Sequence, residues 1–360
     1  MFFHTNQDGK TIPMNTDLLK ELVEGHGVPG QEDQIRKIVS RELKDICELS
    51  TDRMGNLIAF KKGSGGGKKL MLAAHMDEIG FVVKFIDKEG FIRINPLGGF
   101  DPRQLNSQRV LVHTAKGPIN GVLMYGTKPK HMLTEAEASA GQKLDSFFVD
   151  TGLGDKTKDS VSVGDMVTMS RHMIRLGDLF SCKAMDDRAC VFIMIEAVKK
   201  AKKHKVDVYA VATVQEEIGL RGAAAAGSFI APDVVVALDV TLANDIPGVP
   251  EQDQVTKLGH GAAIKIMDSS LICHPKVVEH FRQTAIKNKI RYQMEVLPMG
   301  GTDAGGVQRL HGGIPAFTLS TPTRYIHTVN ETVHKDDVQA CIDLLAKYIE
   351  DAHNGNYSYD

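Results

Sequence analysis

VYAVATVQEEIGLRGA, residues 208–223, reads as a mostly apolar strand that stops abruptly at two neighbouring carboxylates, Glu216 and Glu217. Adjacent glutamates at a buried edge repel each other unless positive charge lies close by, and a metal ion supplies that charge. Glu217 can then act as a ligand. Glu216 is left free to accept a proton from a metal-bound water, its pKa set by burial and by the neighbouring charges.

The same pattern recurs along the chain. LMLAAHMDEIG, residues 70–80, delivers His75 at the end of a second apolar strand, with Asp77 placed to accept its other ring N–H and fix the tautomer. KAMDDRAC, residues 183–190, sets Asp186 and Asp187 directly before a helix, where one aspartate serves as a cap. Two exceed what capping requires, so Asp186 is the candidate bridge between two metals. VVVALDV, residues 234–240, closes in Asp239, and TPTRYIHTVNE, residues 321–331, carries His327. Two imidazoles and three carboxylates suit a pair of divalent ions such as zinc, cobalt or manganese better than one tetrahedral structural zinc. The glycines of GGTDAGG, residues 300–306, permit close backbone approach to a ligand and add Asp303 as a substrate-binding candidate, although a tight turn explains them equally well.

Fully apolar strands alternating with amphipathic helices over 188–352 predict an α/β fold, a mainly buried sheet with helices on both faces. Helices are expected over 17–24, 31–46, 188–203, 276–287 and 337–352, and strands over 56–60, 70–74, 208–214, 234–238, 292–297 and 316–319. Between about residues 80 and 170 the texture changes to short β-like pieces separated by glycine and proline turns, at 81–86, 91–94, 110–113, 119–124 and 166–169. This predicts a small β-rich module spliced into the α/β frame, with 128–143 as an exposed loop. GSGGGKK, residues 63–69, resembles a phosphate loop superficially, but a strand follows it where a helix is needed.

At 360 residues, two domains or one domain carrying an insertion is the reasonable expectation. A net charge of −2 offers no electrostatic case for nucleic acid or an anionic membrane. The five cysteines lack CxxC spacing and read as reduced thiols. MFFHTNQDGKTIP has no signal-peptide pattern and no apolar run approaches the ~20 residues of a bilayer span, so a cytoplasmic location is expected.

AAHMDEIG, KAMDDRA, VQEEIGLRGA, ALDVT, GGTDAG and RYIH stand in the order and approximate spacing of the M42 metallo-aminopeptidases, which the chain resembles over nearly its whole length. The resemblance implies that His75 and Asp239 hold one metal, Glu217 and His327 the other, and that Asp186 bridges them. It further implies Glu216 as general base, Asp77 as the residue supporting His75, zinc or cobalt as the two ions, and a non-proline cis peptide at Asp186–Asp187. By the same likeness, residues 1–78 and 171–360 form a zinc-peptidase-like catalytic domain and 79–170 an inserted PDZ-like dimerisation domain. The implied activity releases N-terminal residues from short peptides, in a homo-oligomer built from dimers into a tetrahedral dodecamer. A co-catalytic amidohydrolase acting on N-acylated amino acids is the competing reading, since the same chemistry cleaves any amide.

Overall fold

Four central strands, Asp207–Thr213, Lys69–His75, Val234–Leu242 and Ala316–Arg324, lie side by side and parallel, which brings their carboxyl ends to one edge of the sheet. They belong to an eleven-stranded mixed sheet in a computed structural model that describes residues 14–359. The amino-terminal leader lies outside the described residues. Glu48–Thr51 and Leu57–Lys61 extend the sheet at one side, and Glu331–His334, Leu179–Cys182 and Ile174–Leu176 at the other. Ala262–Met267 pairs beside Ala316–Arg324 and carries Tyr292–Val296 as its outer neighbour.

The central strands are apolar at nearly every position because helices cover both faces. One layer is built on Met185–Lys200, against which Thr16–Glu24, Asp33–Leu43 and Lys335–Asp351 pack. From Ala189 to Ile195 that helix is apolar on every face and the helix is almost wholly buried, as one enclosed between a sheet and other helices must be. Arg221–Ile230 and Asp303–Gln308 form the second layer.

Several elements depart from the sequence expectation. The strand expected over 234–238 continues to Leu242, and the one expected over 316–319 continues to Arg324, because the two pair from Val235–Ala316 through Leu242–Thr323. DAGGVQ, which reads as a turn, is the short helix Asp303–Gln308. Its glycines are there for packing: a Cβ on Gly305 would overlap Ser270 Oγ, and one on Gly306 would lie 3.1 Å from the Leu220 carbonyl. The 128–143 segment is not wholly irregular, since Thr134 and Glu137 cap each other reciprocally around the helix Glu135–Ser139.

The β-rich segment is a closed six-stranded barrel, ordered Gly80–Ile86, Ile92–Leu97, Phe147–Asp150, Gly117–Tyr125, Gln108–Thr114 and Met166–Met169. It has its own core around Phe81, Ile92, Val110, Leu123, Phe147 and Val167, and Val329 of the main body inserts into that core. The loop carrying His327 is thereby anchored to the barrel two residues later.

His26 of the main body and His113 of the barrel meet at this junction with ring centroids 4.4 Å apart. Burial lowers both from 6.5 to about 4, helped at His26 by the Lys183 and Arg188 charges and at His113 by His26 itself. Between those two values the unfolded chain binds more protons than the folded one, so stability falls as pH drops through that window. Acidification from about pH 7 to about pH 5 is expected to lower the Tm, and His113→Gln to flatten that slope. Identical slopes for both proteins in a thermal melt series would remove the pair from the account.

Candidate metal and catalytic site

His75 is the last residue of its strand and pairs with Thr213 on the neighbouring one. On the other side Ala73 pairs with Ala237, so two residues further on His75 and Asp239 stand level and on the same face. Asp239 therefore lies inside its strand, whereas the sequence pattern put it at the end. The chain leaves Asp207–Thr213 through a left-handed Gln215 (φ 57°) and presents Glu216 and Glu217 over the same edge. Asp186 enters from the non-helical start of Met185–Lys200, with the expected cis peptide at Asp186–Asp187. His327 comes from the loop after Ala316–Arg324.

Among the described residues two groups of side chains are close enough to hold a cation, with ligand atoms within 4.8 Å of one another: His75, Asp186, Asp187 and Asp239, and Asp186, Glu217 and His327. Asp186 is common to both. One of its oxygens lies 3.0 Å from His75 Nε2 and the other 3.5 Å from His327 Nε2. Glu217 Oε2 is 3.4 Å from His327 Nε2, and Glu216 Oε2 is 3.9 Å from His75 Nε2.

The donor set fits divalent cations on electrostatic grounds. Burial, with Asp186 alongside, pushes the Glu217 carboxyl up to about 8, and burial raises Glu216 and Asp239 well above the carboxylate range. Burial works against the charge on His327 as well, yet Asp186 and Glu217 lift that imidazole to about 10. Two imidazoles cannot neutralise this many acids, and the buried Glu217 Oε1 and Asp187 Oδ1 have no protein partner. Such atoms in a buried, acidic cluster are what a cation satisfies.

Asp77 stands beside His75 and has a second role. The nearer acceptor for His75 Nδ1 is the Asp77 backbone carbonyl at 3.0 Å, with its carboxylate at 3.6 Å. The carboxylate also accepts from the backbone N–H groups of Glu216 and Glu217, each at 3.1 Å, and so fixes the turn that presents them. Asp303 sits elsewhere than expected. It is buried, accepts from Thr213 Oγ1, and stands behind the cleft wall rather than on it.

Beneath the cluster, the buried Lys183 Nζ reaches Glu78 at 2.6 Å and the Gly25 carbonyl at 2.8 Å. Arg188, fully buried, holds the Leu22 and Gly27 carbonyls at 3.0 Å each. These bonds tie the first interhelical loop to the segment that bears Asp186. The barrel closes another side with bare backbone. A Cβ on Gly98 (φ 89°) would lie 3.2 Å from Glu217 Oε2, and one on Gly99 would lie 3.2 Å from His327 Nδ1.

Sequence reasoning missed Glu331. Its two oxygens accept from Asp186 N at 2.9 Å and His327 N at 2.7 Å, so one carboxylate locks two ligand-bearing segments that are far apart in sequence. Nothing local marks it, since an acid four residues after a histidine is ordinary surface sequence. Glu331→Gln can accept only one of these bonds and turns its amide N–H₂ toward the other N–H, so zinc affinity is expected to fall about tenfold or more. An unchanged affinity in a competitive chelator titration would exclude the clamp.

All of this opens into a cleft of about 450 Å³ lined by His75, Asp186, Glu216, Glu217, Asp239 and His327. The sequence profile of the M42 glutamyl aminopeptidase family matches residues 55–344. The chain belongs to the M42 aminopeptidase family. As an M42 peptidase it is 37% identical to the lysyl aminopeptidase of Pyrococcus furiosus over 346 residues, 93% of this chain and 96% of that one. Its structure superposes on an aminopeptidase from the archaeon Desulfurococcus kamchatkensis with a TM-score of 0.89 at 40% identity, covering 93% and 94% of the two chains. Against the Pyrococcus horikoshii TET1 peptidase, which can assemble into a tetrahedron or a large octahedral shell, the TM-score is 0.83 at 31% identity over 93% and 98%. Among the described residues of this M42 peptidase no helix is long and apolar enough to cross a membrane.

Proposed function

We propose that this M42 peptidase is a binuclear aminopeptidase that releases N-terminal residues from short peptides, with zinc or cobalt as its ions. The reading rests on one observation above the others: two potential ligand groups share Asp186, and a further carboxylate, Glu216, lies beside them but in neither. His75 and Asp239 would hold one ion, Glu217 and His327 the other, with Asp186 between them. Divalent cations bound there would acidify a water molecule and polarise the scissile carbonyl.

Glu216 takes the water's proton and returns it to the departing amine, a role its position next to His75 and the cleft allows. Asp77 holds the Glu216 backbone so that the carboxylate stays aimed into the cleft. Asp186 sets one oxygen beside His75 Nε2 and the other beside His327 Nε2, so it would be the ligand common to both ions. Residues 1–78 and 171–360 are the catalytic domain in this scheme, and the barrel within 79–170 is a PDZ-like dimerisation module. By analogy with the tetrahedral TET1 assembly, dimers join into a dodecamer that admits short peptides, and its location is cytoplasmic.

A free dipeptide and its N-acetylated form separate the aminopeptidase from a deacylase. The free peptide is expected to be cleaved at least about a hundredfold faster, because a site that binds the free amine loses that contact with the blocked one. Faster release of acetate or of an acyl-blocked residue would favour the amidohydrolase. Dialysis against a chelator is expected to abolish turnover and added zinc or cobalt to restore it; activity indifferent to both treatments would overturn the metal reading.

A further inference from the structure

The cleft that holds the metal-type side chains continues past them along a wall made by Leu220, Leu242, Leu297, Met299 and Ile326. Every charged residue lining the cleft belongs to the cluster already described, so none is left to recognise a charged side chain. Two cationic side chains close behind or beside it, Lys265 and Arg324, are already paired. Lys265 is fully buried and bound to Glu295 at 2.6 Å, and Thr241 donates to the same Glu295 oxygen. Arg324, two residues before Ile326, is held by Asp245 through Nε and Nη2 at 2.7 Å each. The neutral polar groups on the wall are also engaged: Thr302 Oγ1 bonds Thr318 Oγ1 at 2.8 Å and Asp268 at 3.1 Å.

We propose that this M42 peptidase selects substrates whose N-terminal residue is apolar, of the leucyl or methionyl kind, and discriminates against lysyl and glutamyl termini. The inference rests on the aminopeptidase reading and deepens it. An apolar terminus buries its side chain against Leu242, Leu297 and Met299, while an ammonium or carboxylate in the same place loses water and gains no partner. Met299 is 73% exposed at the rim, and Leu297 is 7% exposed further in, so the two define the mouth and the wall of the pocket. The flexible thioether of Met299 adapts to side chains of different shape, which favours a class of apolar residues over a single one.

The test is a set of leucyl, methionyl, lysyl and glutamyl 4-nitroanilides given to the zinc-loaded and cobalt-loaded enzyme. Leucyl and methionyl kcat/KM values are expected to exceed the lysyl and glutamyl ones by at least about tenfold. A lysyl or glutamyl value equal to or above the leucyl one overturns the inference while leaving the aminopeptidase reading intact. Met299→Glu places an acid at the rim and is expected to raise the lysyl-to-leucyl ratio about tenfold; an unmoved ratio in a folded variant removes this wall from the specificity pocket. Calorimetric binding of free leucine, lysine and glutamate to Glu216→Gln supplies a readout independent of turnover. Leucine should bind tightest, and lysine or glutamate binding as tightly refutes the proposal even if no nitroanilide is hydrolysed.

Discussion

Glu216→Gln is expected to lower kcat by about a hundred- to ten-thousandfold while leaving the fold and the bound zinc essentially unchanged. Glutamine matches glutamate in size, and the contact that positions residue 216 is a backbone one, from its N–H to Asp77, so the turn survives the change. What disappears is the only function assigned to that carboxylate, taking and returning a proton, which an amide cannot perform. Because Glu216 lies outside both ligand groups, zinc content measured by atomic spectroscopy should stay at the wild-type level. KM should move far less than kcat, since the residue contributes to the transition state and not to holding the substrate. Turnover within about tenfold of wild type would mean that another group carries the proton, and the neighbouring acids would then have to be tested in turn.

Asp186→Asn is the second large effect, and its readout is metal content. Aspartate offers two equivalent anionic oxygens, one toward His75 and the other toward His327, whereas asparagine keeps one neutral oxygen and turns an N–H₂ toward the other imidazole. Both candidate cation groups lose a charge in a single substitution. Zinc affinity is expected to drop at least about a hundredfold, with loss of one or both ions on dialysis and near-complete loss of activity. Zinc stabilises whichever state binds it, so the rise in Tm on adding zinc to the metal-free protein should shrink sharply in the variant. A variant that retains its full zinc complement and the wild-type Tm response would show that Asp186 is not shared between two ions.

Of the site, the segments that end strands were readable because burial and charge conflict there. VATVQEEIG and LMLAAHMDEIG each place acids or a histidine where an apolar run predicts interior, and only a compensating charge makes that sensible. The α/β frame and the β-rich interruption were readable from the change in hydrophobic period, and the main strands and long helices stand within a few residues of their expected places. What sequence patterning missed has a common cause. Asp303–Gln308 and Arg221–Ile230 are helices of small residues with few large apolar side chains, so no hydrophobic period marks them even where, as in Arg221–Ile230, a run of alanines favours the helix. The short strands Glu331–His334 and Leu179–Cys182 exist through pairing with each other and with Arg324, a long-range contact with no local signature.

The amino-acid sequence by itself determined which side chains carry the chemistry, because ligand types, their neighbours and the hydrophobicity leading into them are written along the chain. Tertiary structure alone decided how they meet. Strand register set His75 level with Asp239, one Glu331 carboxylate joined the Asp186 segment to the distant His327 loop, and the Asp77 carboxylate beside the imidazole also took the Glu216 and Glu217 N–H groups. Register and hydrogen-bond choice depend on the relative positions of elements distant in sequence, and those positions follow from packing the whole core rather than from any local pattern.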